Sequence, residues 1–156
     1  MNKPRPSKDH EAPLVVIAIG GNSLIKDSQH RTVMDQYEAV GETALHIVPI
    51  VKEGYRVVVT HGNGPQVGFI LLRSDLARNV LHQVPLVSCV ADTQGAIGYQ
   101  IAQTLQNELH RQDIEKEVAA VVTQVLVDAD DPAFQDPDKP IGPFLTEEAA
   151  KEHARK

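Results

Sequence analysis

The chain has 156 residues, enough for one domain with its own core. Its 15 basic and 21 acidic residues give a formal net charge of −6, which argues against a basic surface for nucleic acid or an anionic membrane. Aromatic residues make up only 4%, so the core must be aliphatic. Any anion site must therefore be local, built from backbone amides and one or two placed cations.

The N-terminal segment and the single cysteine indicate in which cellular compartment the protein acts. Residues 1–13 are polar, contain Pro4 and Pro6, and are predicted to form a disordered tail. They lack the apolar stretch of a signal peptide, and no run is long enough to span a bilayer, so we predict a cytoplasmic protein without a membrane partner. Cys89 stands alone in an apolar stretch, which excludes an intrachain disulfide and favours a buried thiol over a nucleophile.

The first elements predict a strand–helix–strand unit. Aliphatic runs at Leu14–Ile19 and Tyr55–Thr60 indicate two strands, parallel if the crossover has the usual right hand. Thr32, with an aspartate three residues on, predicts a capped helix start, and Gly54 a helix end. Pro49 is expected to kink this helix or mark its last turns. The apolar positions that repeat at helical spacing are Val33, Tyr37, Val40, Ala44, Ile47, Val48 and Val51.

Further elements complete an α/β pattern. A short helix is expected from about Val67, and a longer one over about residues 92–112. The β-branched run Val118–Val127 predicts a buried central strand, and an acidic, proline-rich excursion and a short helix after Thr146 follow it. This order predicts a three-layer αβα sandwich with a mostly parallel sheet.

A glycine-rich turn follows each of the first two strands directly. These turns are Gly20-Gly21-Asn22-Ser23 and His61-Gly62-Asn63-Gly64-Pro65-Gln66. Ligands of open parallel sheets bind at the carboxyl ends of strands, and glycine permits positive φ and close approach to the amides. Together the turns would form a cradle of N–H donors for an anion such as phosphate. Asn22 and Asn63 either contact the ligand or only stabilise the turns.

Longer strings make the pattern specific. Neither a Gly-x-Gly-x-x-Gly turn nor a P-loop is present, so the Rossmann and P-loop interpretations lose their main support. The chain instead carries, in this order, Ile19-Gly20-Gly21-Asn22, His61-Gly62-Asn63-Gly64-Pro65-Gln66-Val67-Gly68, Thr93-Gln94-Gly95-Ala96-Ile97-Gly98-Tyr99 and Lys139-Pro140-Ile141-Gly142-Pro143-Phe144. From Leu14 onward the sequence closely resembles carbamate kinases, of the amino-acid kinase superfamily.

The resemblance implies reversible phosphoryl transfer between Mg-ATP and carbamate, giving Mg-ADP and carbamoyl phosphate. It implies Lys139 as the catalytic residue, on a protruding subdomain that covers the site. Residues 14–128 would form the carbamate-binding part, and residues 129–156 the start of that subdomain. The substrate-binding residues would be Gly20, Gly21, Asn22, Ser23, Gly62, Asn63 and Gly64, with Ser23 standing where the family commonly has alanine. Arginine fermentation and purine or allantoin breakdown both stay open as pathways.

Other interpretations of single residues remain. Lys139 taken alone is a solvated charge in an acidic loop, and His61 is a strand-end residue to which we assign no catalytic role. The aspartates over residues 128–138 lack the alternation of an EF-hand loop and favour a solvated loop over a metal site. The resemblance also implies a homodimer, with a nucleotide-binding half C-terminal to this segment. The alternative is a non-catalytic anion-binding half-domain, or a subunit that another chain completes.

We expect the isolated chain to lack kinase activity, because the resemblance places the nucleotide-binding half outside it. The purified chain, given carbamoyl phosphate and Mg-ADP in a coupled assay, should form no ATP above background. ATP formation by the purified chain would contradict this expectation.

Overall fold

The computed structural model describes residues 12–25, 32–141 and 145–154, so most of the predicted tail over 1–13 lies outside it. Its strands and helices, in chain order, are β1 (Leu14–Ile19), α1 (Val33–Lys52), β2 (Arg56–His61), α2 (Gly64–Ala77), α3 (Leu86–Arg111) and α4 (Glu147–Ala154). Two 3₁₀ turns lie at Gly21–Leu24 and Pro132–Phe134. None of the helices described here is long and apolar enough to cross a membrane.

The chain divides into two compact units. The first comprises Met1–His61 and Gln100–Ala119, and the second Gly62–Tyr99 and Ala120–Lys156. The boundary predicted near residue 129 stays a prediction.

The two predicted strands form a parallel pair in the first unit. β1 and β2 pair in register from Leu14 opposite Arg56 to Ile19 opposite His61. The parallel arrangement predicted from the crossover is confirmed, with β2 shifted one residue along the chain. The carboxyl ends of both strands therefore lie side by side, which is where an open sheet binds ligands.

Helix α1 begins at the predicted capping box. Thr32 donates its backbone N–H to Asp35 Oδ2 at 2.7 Å, and Asp35 donates its own N–H to Thr32 Oγ1 at 3.2 Å. These two bonds satisfy donors that a helix start leaves unpaired. The buried positions of α1 are Gln36, Ala39, Val40, Ala44, Ile47 and Val48.

The end of α1 turns the chain directly into β2. Gly54 has φ of 95°, and its N–H bonds the carbonyl of Val51 at 3.0 Å, while Tyr55 N–H bonds the carbonyl of Ile50 at 3.3 Å. This pair of bonds is a Schellman ending, which needs a residue in the left-handed region. Pro49 lies in the last turns, as one of the two predicted alternatives, and its carbonyl accepts from Glu53 N–H at 3.0 Å.

Helix α3 starts earlier than predicted. The sequence places its start near residue 92, whereas the helix begins at Leu86, directly after Pro85. The Pro85 carbonyl accepts hydrogen bonds from the N–H groups of Ser88 and Cys89. The start of the helix is therefore marked by Pro85 and not by Asp92. One buried stripe runs along the helix at four-residue spacing, through Cys89, Thr93, Ile97, Ile101, Leu105 and Leu109.

The strand predicted over Val118–Val127 is not formed in the described structure. These residues have no regular secondary structure, and side chains expected to be buried are exposed, with Leu126 at 100%. A strand requires a hydrogen-bonded neighbour, and the described sheet consists of β1 and β2 alone. An apolar, β-branched composition is typical of a buried strand, but it does not supply the pairing partner that a strand requires.

Replacement of the α1 cap should lower stability selectively. Thr32→Ala removes the side-chain acceptor of the capping box and should reduce the free energy of unfolding by about 1 kcal/mol. Thr43→Ala, in the middle of the same helix, removes only a bond from its hydroxyl to the Ala39 carbonyl, and should change stability by less than about 0.5 kcal/mol. Urea unfolding curves measure both changes, and equal midpoints for the two variants would contradict the role of the cap.

Candidate functional site

The second glycine turn joins β2 to α2. β2 ends at His61, and α2 begins at Gly64 with Asn63 as its N-cap residue. The Asn63 carbonyl accepts the first bond of the helix, from Val67 N–H at 2.9 Å. An asparagine at this position usually caps the helix through its side chain. Here the Asn63 side chain makes no such bond, so its amide serves something else.

The Asn63 amide is held by a buried threonine of α3. Asn63 Nδ2 donates to Thr93 Oγ1 at 2.8 Å, and Thr93 Oγ1 donates to the Val90 carbonyl, also at 2.8 Å. Thr93 is only 2% exposed. The two bonds form a short chain from the helix backbone to the turn, and the chain fixes the position of the Asn63 side chain within the second unit.

The string from Thr93 to Tyr99 makes two further contacts within the second unit. Gln94 Oε1 accepts from the Thr123 N–H at 2.7 Å, so this side chain bonds the backbone of the exposed segment. A Cβ placed on Gly98 would lie 3.1 Å from the Ala120 Cβ, so the absence of a side chain permits this approach. Through Thr93 the string therefore holds the second turn, and through Gln94 and Gly98 it contacts residues 120–123.

The first glycine turn is a 3₁₀ turn in the first unit. Ser23 N–H bonds the Gly20 carbonyl at 3.0 Å, and Leu24, which closes the turn, is 1% exposed. Gly20 and Ser23 are exposed, and Gly21 is partly buried. The role predicted for the side chain of Asn22 falls outside what the structure describes. The buried leucine attaches this turn to the core, while Ser23 before it lies at the surface.

The glycines of the two turns do not use the left-handed region. Among the glycines described, Gly54 is the one with positive φ, so the conformational reason expected for the turn glycines is wrong. The other expected reason is that glycine lets a ligand approach the backbone closely, which requires open space beside the turn. A Cβ at Gly64 would meet no atom within 4 Å, so the position beside the first turn of α2 is open. Pro65, within that first turn, has no N–H to satisfy.

Lys139 contacts neither of the two glycine turns through a hydrogen bond or ion pair among the described residues. It is exposed, and it makes no hydrogen bond or ion pair with another residue that the structure describes. Two aspartates of the neighbouring acidic segment act locally, since Asp128 accepts from the N–H of Asp130 and Asp131 from that of Ala133. The described ranges contain no group of three or more His, Cys, Asp or Glu side chains suited to a metal ion.

A cavity in the second unit places part of the Lys139 string beside α2. Its volume is about 540 Å³. Leu71 and Leu72 of α2 line it together with Val84, Ile141 and Leu145. The Ser74 hydroxyl in its wall accepts the Val84 N–H at 2.8 Å. Residues 142–144, which complete the string, lie outside the described structure.

Sequence reasoning missed the residue that positions Asn63. Thr93 was noted only as part of a string, with no role, because its partner lies 30 residues earlier in the chain. The available signal was a hydroxyl at a position of α3 that is four residues from Ile97 and eight from Ile101, on an otherwise apolar stripe. A polar residue on a buried stripe needs a hydrogen-bond partner, and an asparagine in the preceding turn is a suitable one.

Comparison with known proteins identifies the class. The profile of the amino acid kinase family matches residues 13–155. The carbamate kinase of Thermococcus kodakarensis is 50% identical over 144 residues, which cover 90% of this chain and 46% of that protein. The carbamate kinase-like protein YahI of Escherichia coli is 51% identical over 136 residues, covering 86% of this chain and 43% of that protein.

Solved structures agree with the sequence comparison. The carbamate kinase of Giardia lamblia bound to citric acid superposes with a TM-score of 0.80 at 40% identity, covering 92% of this chain and 46% of that one. A protein of Aeropyrum pernix K1 gives a TM-score of 0.85 at 37% identity, over 91% of this chain and 46% of that one. The Giardia enzyme has also been solved bound to AMP-PNP.

The chain belongs to the amino acid kinase family, and its similarity to carbamate kinases confirms the predicted α/β sandwich class. It spans less than half the length of the carbamate kinases that it matches.

Two glycines of α3 should respond differently to substitution. Gly98→Ala places a methyl group 3.1 Å from the Ala120 Cβ, and this close contact should offset the gain in helix propensity, so the variant should be less stable than Gly95→Ala by about 1 kcal/mol. Gly95→Ala meets nothing within 4 Å and should raise the free energy of unfolding by up to about 1 kcal/mol, through helix propensity. Chemical denaturation measures both variants. A Gly98→Ala protein as stable as Gly95→Ala would show that the approach to residue 120 is not tight.

Proposed function

We propose that this chain is the carbamate- and carbamoyl-phosphate-binding part of a carbamate kinase. The observation that carries the proposal is 50% identity to a carbamate kinase across 90% of the chain, which includes both glycine turns and the Thr93–Tyr99 string. The reaction is reversible phosphoryl transfer: a carbamate oxygen attacks the γ-phosphorus of ATP, a new P–O bond forms, and the bond to the ADP oxygen breaks. The cellular direction and pathway are not part of the proposal.

The residues proposed for the acceptor site suit this chemistry. Phosphoryl transfer needs positioning and charge stabilisation more than covalent assistance from the protein. Backbone amides at a helix start bind anions without a net charge, and the start of α2 offers such groups next to open space at Gly64. Asn63 adds an amide that both donates and accepts, and carbamate presents both an amino group and a carboxylate. In the first turn, the proposed substrate-binding residues are Gly20, Gly21, Asn22 and Ser23.

Lys139 is proposed as the catalytic cation. Its ammonium group would offset the negative charge that develops on the transferring phosphoryl group. Because Lys139 is exposed and without an ion-pair partner among the described residues, its charge is available to a ligand. We place it on a subdomain, starting near residue 129, that closes over the substrate and excludes water.

The remaining proposals concern the whole enzyme. Mg²⁺ would accompany ATP or ADP as the co-substrate, since hard cations bind phosphate oxygens. The nucleotide would be held by sequence that relatives have beyond the part matched here. The enzyme would act in the cytoplasm as a homodimer, without nucleic acid or membrane as a partner. The net charge of −6 agrees with a small-molecule substrate and not with a polyanion.

Gly64→Ala should separate binding from folding. Since an added Cβ meets no protein atom, the fold should be unaffected, but the methyl group would occupy the space through which a ligand approaches the turn. We expect the affinity for carbamoyl phosphate to fall about tenfold, a loss of about 1.4 kcal/mol. Titration calorimetry on the purified chain, completed quickly at low temperature, measures the affinity, and urea unfolding checks the fold.

The matched control is Gly95→Ala, which also fills open space but lies within α3 and should leave affinity unchanged. Inorganic phosphate, titrated in parallel, reports how much of the affinity comes from the anion alone. Equal affinity of the Gly64→Ala and wild-type chains for carbamoyl phosphate would place the ligand elsewhere.

A further inference from the structure

We propose that Thr93 is a positioning residue that fixes the orientation of the Asn63 amide, so that the turn presents the Asn63 Oδ1 acceptor to the ligand and selects ligands with an N–H donor. This inference rests on the proposed function, because it names the feature of the acceptor that the same turn recognises.

The bonding at Thr93 decides which end of the amide faces it. The Val90 carbonyl can only accept, so the Thr93 hydroxyl must donate its single proton to that bond, which is 2.8 Å long. Thr93 Oγ1 can then only accept from Asn63. The amide atom at 2.8 Å from it must therefore be Nδ2, and the opposite assignment would set two acceptors against each other.

This assignment determines where Oδ1 is left. Nδ2 and Oδ1 occupy opposite branches of a planar amide, so fixing the nitrogen on Thr93 turns the oxygen away from it. Oδ1 does not cap α2, although Asn63 is the N-cap residue. It also accepts no hydrogen bond from any side chain or backbone group in the described part of the chain. Asn63 is only partly buried, so this acceptor is accessible.

A hydrogen-bond acceptor at this position distinguishes between ligands that carry the same charge. Carbamate and the carbamoyl group carry an NH₂ that can donate to Oδ1. Acetate and the acetyl group have nearly the same shape, but place a methyl group there. A site built to hydrogen-bond an N–H discriminates strongly against an analogue that lacks it, because the polar group of the protein then loses its partner. Without the Thr93 hydroxyl the amide can turn over, and this discrimination weakens.

The test uses the purified chain with Thr93→Val, which removes the hydroxyl at nearly constant shape, and Thr93→Ser, which retains it. Carbamoyl phosphate and acetyl phosphate are titrated into each protein. The wild-type chain should bind carbamoyl phosphate about tenfold more tightly than acetyl phosphate. Thr93→Ser should keep that ratio to within about threefold, and Thr93→Val should bring it close to one.

A second measurement does not depend on any ligand. In ¹⁵N-labelled protein, the Asn63 side-chain NH₂ should show one proton that exchanges slowly in the wild type and in Thr93→Ser. That protection should be lost in Thr93→Val. If Thr93→Val does not fold, Thr93→Ala removes the same hydroxyl and gives both readouts.

The outcomes are distinct. An unchanged affinity ratio in Thr93→Val, or a loss of affinity that is equal for both phosphates, overturns the selective role and leaves Thr93 merely structural. Equal wild-type affinity for the two phosphates overturns the acceptor at Asn63 while the proposed anion site stands. If the wild-type chain binds neither phosphate, the proposed function fails and the selectivity with it. Unchanged amide protection in Thr93→Val overturns the positioning role in every case.

Discussion

The parallel pairing of β1 with β2 is the constraint on which the rest of the structure depends. Because Ile19 lies opposite His61, the two strands end level with each other, and each passes directly into a glycine-rich turn. Helix α1 returns the chain to the start of β2. The helix begins at the Thr32 capping box, and its Schellman ending at Gly54 leads directly into β2.

Local signals made the elements up to α2 predictable from the sequence. The Thr32 cap, the helix end at Gly54 and the two aliphatic strands each depend on residues within a few positions of one another. The start predicted for α3, near residue 92, was too late, because the helix begins at Leu86. Pro85 decides the boundary, since its carbonyl accepts the first helical bonds while its ring stops the helix from extending backward.

The errors at Val118–Val127 and Thr93 have a common physical origin. A strand and a buried hydroxyl both depend on a distant partner that the local sequence does not contain. The β-branched run has the composition of a buried strand, yet it pairs with no strand in the described structure. Its Thr123 and Val118 N–H groups instead donate to the side chains of Gln94 and Gln106 in α3. The hydroxyl of Thr93 on an apolar stripe signals the need for a hydrogen-bond partner but does not identify Asn63, so the candidate residues were predictable from motifs but the contacts that orient them were not.

The selectivity proposed for Asn63 and Thr93 is consistent with the net charge of this chain. At a net charge of −6, a small anion gains no general attraction, and the described structure pairs Lys139 with nothing near the second turn. A single cation, moreover, treats carbamate, acetate and bicarbonate alike, because all three have the same charge. Discrimination must then come from neutral groups whose donors and acceptors are fixed in direction. An asparagine is the most ambiguous such group, since rotation by 180° exchanges its donor for its acceptor. A buried hydroxyl whose one proton is already bonded to a helix carbonyl removes that ambiguity, and it does so without placing a charge beside the proposed anionic substrate.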